Sequence, residues 1–153
     1  MALKPDRVES FTDVSFFMNT TGDRGGVVVY SGNGGTGSSM DDADAVVIYP
    51  TGSPSGTAPA GVLLNDVVDL DLTRQHINYH KDEVQKGGKV ALLRRGSVVT
   101  NSIAAGQNPA AGDAAYYDGA GDFTTVSTNS VKVGTFLSQK DSDGYIKVDI
   151  NIT

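Results

Sequence analysis

The apolar positions of this chain fall in short β-branched runs broken by Gly, Ser, Pro and Asp, a pattern that predicts strands along most of its length. The clearest case is the C-terminus, where Ile146, Val148, Ile150 and Ile152 alternate with Tyr145, Lys147, Asp149 and Asn151. A period of two with one wholly apolar face is a strand lying on a core. Strands are also predicted over residues 25–30, 45–49, 60–64, 67–72, 90–93, 98–100, 113–117 and 131–137, where Val, Ile, Leu and Tyr suit a pleated surface. Arg95-Gly96-Ser97, Asp118-Gly119 and Asp141-Ser142-Asp143-Gly144 read as turns between them. Amphipathic helical spacing nowhere persists beyond about two turns. The expected fold is therefore all-β, a small barrel or sandwich.

Three stretches depart from this rhythm. Residues 1–20 have no period and read as an N-terminal arm, with Phe16-Phe17-Met18 as a compact apolar cluster. That cluster either tucks onto the chain's own core as an edge strand or docks on a neighbouring chain. Residues 31–39 and 51–59 are Gly/Ser/Pro-rich and flexible by composition. Residues 73–88 gather long polar side chains and fit either a short helix ended by Gly87-Gly88 or an exposed strand and turn. The expected organisation is an arm over 1–20 and a β domain over 21–153, with 21–65 a candidate lobe of its own.

Composition narrows the function classes. A length of 153 residues suits one domain. Cysteine is absent, which excludes disulfides and thiolate metal sites. The net charge of −6 disfavours nucleic acid as a partner, since that affinity comes largely from clustered Lys and Arg. The densest basic pair, Arg94-Arg95, stands alone. No apolar run approaches the roughly 18 residues that span a bilayer, so no membrane partner is expected. The first residues lack the apolar core of a signal peptide, and a soluble chain is expected.

Motifs with chemical meaning are weak. Gly32-Asn33-Gly34-Gly35-Thr36-Gly37 matches a G-x-G-x-x-G spacing, but the next strand begins near Ala45, leaving no room for the helix whose N-terminus would face a pyrophosphate. Asp41, Asp42 and Asp44, and likewise Asp141 and Asp143, lack the spacing of a calcium loop and read as turn formers. His76 and His80 stand four apart without a third ligand set by spacing, and read as exposed or interface histidines. No Gly-x-Ser-x-Gly elbow occurs and no carboxylate pair can be singled out, so neither catalysis nor a cofactor or metal is expected.

The order of several segments is similar to that of the small decoration, or cement, proteins of tailed-bacteriophage capsids. It runs from Asp66-Val67-Val68-Asp69 and Lys86-Gly87-Gly88-Lys89-Val90-Ala91-Leu92-Leu93 to Gly112-Asp113-Ala114-Ala115-Tyr116-Tyr117, then Val133-Gly134-Thr135-Phe136 and Asp143-Gly144-Tyr145-Ile146-Lys147-Val148. The opening, Leu3-Lys4-Pro5-Asp6-Arg7 with Phe16-Phe17-Met18-Asn19, resembles head proteins of marine and cyanobacterial podovirus-like phages. The region from Gly32 to Pro59 looks like an insertion outside that pattern.

The resemblance implies a β body on the outer face of an assembled shell. It also implies synthesis in the host cytoplasm, the major capsid protein as partner, self-association as a homotrimer, and a role in bracing the shell against packaged DNA. Candidate contact residues are Lys4, Arg7, Phe16, Phe17, Met18, Arg24, Arg74, His76, Tyr79, Arg94 and Arg95, because arginine and large apolar groups are enriched at interfaces. The rival reading is a carbohydrate- or host-surface-binding module of a head fibre or tail, with Tyr30, Tyr49, Tyr116, Tyr117 and Tyr145 as stacking platforms. A hydrolase ranks third, since no constellation supports it.

Overall fold

A computed structural model describes residues 3–31, 46–66, 70–71, 76–77 and 82–152, and every regular element among them is a strand. In chain order these are β1 (Val8–Met18), β2 (Gly22–Asp23), β3 (Val27–Ser31), β4 (Val46–Ile48), β5 (Pro59–Asp66), β6 (Leu70–Asp71), β7 (His76–Ile77), β8 (Glu83–Val84), β9 (Lys89–Thr100), β10 (Ala114–Tyr117), β11 (Phe123–Thr124), β12 (Val131–Phe136) and β13 (Ile146–Asn151). The all-β expectation holds. The predicted glycine loop at 31–39 and the acidic cluster at 41–44 lie largely outside the described residues, as does much of 67–81.

The organising strand is β9. One of its edges carries β1 from Lys89 to Ser97. The other edge carries β5 opposite Val90 to Leu93, then β13 opposite Arg95 to Thr100. From β5 the pairing runs through β3 and β4 back to β1, which closes a ring of five strands on the first half of β9. From β13 it runs through β12 and β10 to β11. Just past β9, Ile103 bridges to Phe123 of β11, where the Phe123 N–H donates to Ser102 O and the Ala104 N–H to Phe123 O, both at 2.9 Å. A second ring closes there. Closure leaves few open sheet edges, the usual way a small β protein avoids unwanted strand addition.

Two cores result, one on each face of β3, β5 and β9. Val27, Val29, Val62, Leu64, Leu93 and Val98 pack with Tyr117, Phe123, Phe136, Ile146, Val148 and Ile150. Met18, Val28, Val47, Leu63, Val84, Val90 and Leu92 form the other cluster. Strands β3 and β5 are thus buried on both faces. This is why they read as unbroken runs, Val27-Val28-Val29 and Val62-Leu63-Leu64, while β13 alternates.

Two sequence expectations are corrected. Residues 95–97 are not a turn between two strands: β9 runs continuously from Lys89 to Thr100. Gly96 is there because β1 approaches it closely, and a Cβ on it would sit 1.9 Å from the Val8 carbonyl oxygen. Residues 8–18 are a strand of the main sheet instead of a projecting arm, and Phe17 and Met18 are buried in the chain's own cores. Three register irregularities against β9, at Glu9/Phe11, Phe11/Thr12 and Asp13/Phe16, erase the period of two that would have announced β1. At Gly87, where a helix cap was one alternative, the chain makes a turn whose N–H donates to Met18 O at 2.8 Å.

Turn chemistry follows the sequence closely. Asp141 accepts from the Asp143 and Tyr145 N–H groups at 2.9 and 2.8 Å, with Gly144 at φ 85°. Asp118 accepts from the Ala120 and Asp122 N–H groups at 2.9 and 3.0 Å. The Asp122 carboxyl beside it is pushed above its ordinary value, first by burial and then by the Asp118 charge. A carboxyl raised on folding holds its proton more tightly in the native state, so it erodes stability as pH rises through the carboxylate range. Asp122→Asn is expected to raise the melting temperature at pH 7 and to leave it little changed near pH 3. A variant no more stable than the parent at pH 7 refutes this.

Candidate functional site

A continuous patch lies where β1, β9 and β13 run side by side. Val8 and Phe11 on β1 are 59% and 52% exposed, Val14 further along is 52% exposed, and Leu137 just past β12 is 45% exposed. Large apolar groups this open are informative when they gather on one face. Here Val8, Ser10, Arg95, Leu137, Lys147 and Asp149 line an open groove of about 720 Å³. A neighbouring depression of about 450 Å³ is bounded by Ser10, Phe11, Arg94, Arg95 and Ile152.

Local structure explains the exposure. The register of β1 against β9 shifts three times between Glu9 and Phe16, and side chains on both faces of β1, Val8 to Thr12 with Val14 and Ser15, are exposed although the strand is paired to β9 along that length. Arg94 stands where the neighbour of β9 changes from β5 to β13, and its carbonyl accepts from the Ile152 N–H at 2.9 Å. Across the sheet, Asp149 is paired with Ser97 and Lys147 with Val99, which brings both β13 side chains to the groove. Neither Arg94 nor Arg95 forms an ion pair with a carboxylate among the described residues.

The other predicted contact residues are dispersed. Lys4 has its Nζ 4.5 Å from the centre of the Tyr145 ring and 4.0 Å from Asp141 Oδ2. Arg7 is occupied by Glu9. Arg24, largely buried, binds Asp82 at 3.1 Å. Phe16 is half-buried with its ring 5.5 Å from that of Tyr30. Arg74 and Tyr79 lie outside the described residues, as does the side chain of His76. Of the described members of the predicted set, only Arg94 and Arg95 come together on the patch. Sequence reasoning missed Val8, Phe11, Leu137 and Lys147; a usable signal was Phe11 and Val14 standing in an otherwise polar run from Glu9 to Ser15.

Among the described residues no three acidic or His side chains gather to hold a metal ion. The described lining of the patch is apolar and cationic, with Asp149 as its single carboxylate.

A protein-family model described as structural cement protein (E217 gp24/Pam3 gp6) matches residues 5–151. The chain belongs to this family of phage cement proteins. A comparison with curated proteins gives no match. The matched range begins before β1 and ends with β13, so both rings and the insertion-like region from Gly32 to Pro59 fall inside it. The cement protein is thus a structural, capsid-stabilising component of a phage virion.

The tyrosines are unevenly placed for a glycan platform. Tyr117 is fully buried, with its hydroxyl 2.6 Å from Thr57 Oγ1, and burial pushes its pKa up. Tyr49 lies against Gly22, Gly26 and Gly121, where a Cβ would come within 2.6 to 2.8 Å of its ring, and it donates to Asp23 O. Its hydroxyl is also raised, chiefly by burial. Tyr30 is the exposed member.

Proposed function

We propose that this cement protein binds the outer surface of the assembled phage shell, with the major capsid protein as partner, and braces it against the internal pressure of packaged DNA. The observation that carries the reading is the family match over residues 5–151. The closed β body supports it, because a brace needs a rigid scaffold, and so does an open apolar and cationic patch on one face. The mechanism is linkage: a ligand of the expanded shell stabilises that state by about 2.7 kcal/mol per site at a concentration one hundred times its Kd. Copies arranged around a shell add their contributions, and a homotrimer seated at a local threefold would bridge neighbouring capsomers.

The test is cosedimentation of the protein with expanded shells that lack it, followed by heating of the particles. The expected result is saturable binding near a simple multiple of the capsid subunit count, with DNA release delayed to higher temperature. Absence of binding to expanded shells overturns the proposal. The glycan-binding reading has the weaker support, since two of its five tyrosines are enclosed.

A further inference from the structure

We infer that the β1–β9–β13 patch is the face by which the protein docks, and that its partner is a capsid segment combining carboxylates with an apolar anchor. This inference rests on the shell-binding function proposed above and names the chemistry of that contact.

Three observations converge on it. Apolar exposure gathers there: Val8, Phe11 and Leu137 border one groove system. The charge is opposite in sign to that of the whole molecule. A chain of net charge −6 sets Arg94, Arg95 and Lys147 against Asp149 alone among the described lining residues. A cationic patch on an acidic protein selects an acidic partner by steering and by rejecting like charge. Finally, β1 is irregular. Its register against β9 shifts at three points, which breaks the even ladder of N–H and C=O groups that strand addition requires, disfavours pairing by the edge and leaves contact through side chains. A two-fold self-contact through this face is disfavoured, because it would set Arg94 and Arg95 against their own copies.

The experiment uses expanded shells lacking the protein and compares the parent with Arg95→Glu, Phe11→Ser, and the double variant Arg94→Glu/Arg95→Glu. Val126→Ser and Lys140→Glu, exposed positions away from the groove, serve as controls. Melting curves verify that each variant is folded, and sedimentation velocity reports its oligomeric state. Arg95→Glu and Phe11→Ser are each expected to weaken shell binding roughly tenfold or more, while the controls bind as the parent does. Parent binding should weaken as salt rises, and the double variant should lose most of that dependence. If the parent binds and folded Arg95→Glu and Phe11→Ser bind equally well, this inference falls and shell binding stands. If the parent fails to bind, the proposed function itself falls. A change in oligomeric state without loss of shell affinity makes the patch a self-interface and overturns the inference as well.

Discussion

Gly96→Ala is expected to destabilise the protein by more than about 3 kcal/mol, seen as a large drop in the urea midpoint. Two penalties coincide. Gly96 has φ 142°, a backbone region that residues with a Cβ rarely adopt, and the added methyl would lie 1.9 Å from Val8 O and 2.9 Å from Val8 C. Neither neighbour can yield easily, because the atoms facing Gly96 are backbone of β1, which is paired to β9 on both sides of that point. The other edge of Gly96 faces Ile150 of β13, so retreat in that direction is closed too. Gly106 provides the internal comparison. Its φ is 78° and nothing lies within 4 Å of a Cβ there, so Gly106→Ala should cost only the conformational term, about 1 to 2 kcal/mol. Equal effects at the two positions would show that the close approach of β1 contributes nothing.

Phe136→Ala should cost about 3 to 5 kcal/mol and Leu92→Ala about 2 to 5 kcal/mol, by loss of buried apolar surface and by the cavities left behind. Both side chains are fully buried, Phe136 in the core lined by β10, β12 and β13, and Leu92 in the other. The informative part is cooperativity. Strand β9 sends Val90 and Leu92 into one cluster and Leu93 and Val98 into the other, so neither ring can lose its core while the other keeps an intact β9. Each variant is therefore expected to unfold in a single transition, with tertiary and backbone signals moving together in a denaturant titration. Two separated transitions, one shifted by Phe136→Ala and the other by Leu92→Ala, would show instead that the two halves fold as separate lobes.

Several elements were legible in the sequence because they rest on short-range chemistry. The alternation of β13 reports one buried face, and Ile146, Val148 and Ile150 are indeed buried while Asp149 and Asn151 are exposed. The unbroken valines of β3 and the Val62-Leu63-Leu64 run marked strands, and Asp141 announced the turn that its carboxylate holds. The cement-family resemblance was carried by this same order of strands and turns, which is why the family was readable while the surface it uses was not.

What a strand pairs with, and which way an irregular strand turns its side chains, depends on contacts between distant parts of the chain. Gly96 looked like a turn because glycine between Arg95 and Ser97 carries the same local signal whether the chain reverses or another strand passes close by. Phe16-Phe17-Met18 could not be assigned locally, since an apolar cluster fits a docking arm and a core strand equally well; pairing of β1 with β9 and β4 sends Phe17 and Met18 inside. The patch is the fullest case. Phe11, Arg95, Leu137 and Lys147 share no local motif and meet only because β9 carries β1 on one edge and β13 on the other. The amino-acid pattern by itself determined the strand composition, the turns at Asp118 and Asp141 and the family. The two-ring closure, the cores on either face of β3, β5 and β9 and the exposed groove were decided by long-range pairing, which no local periodicity encodes.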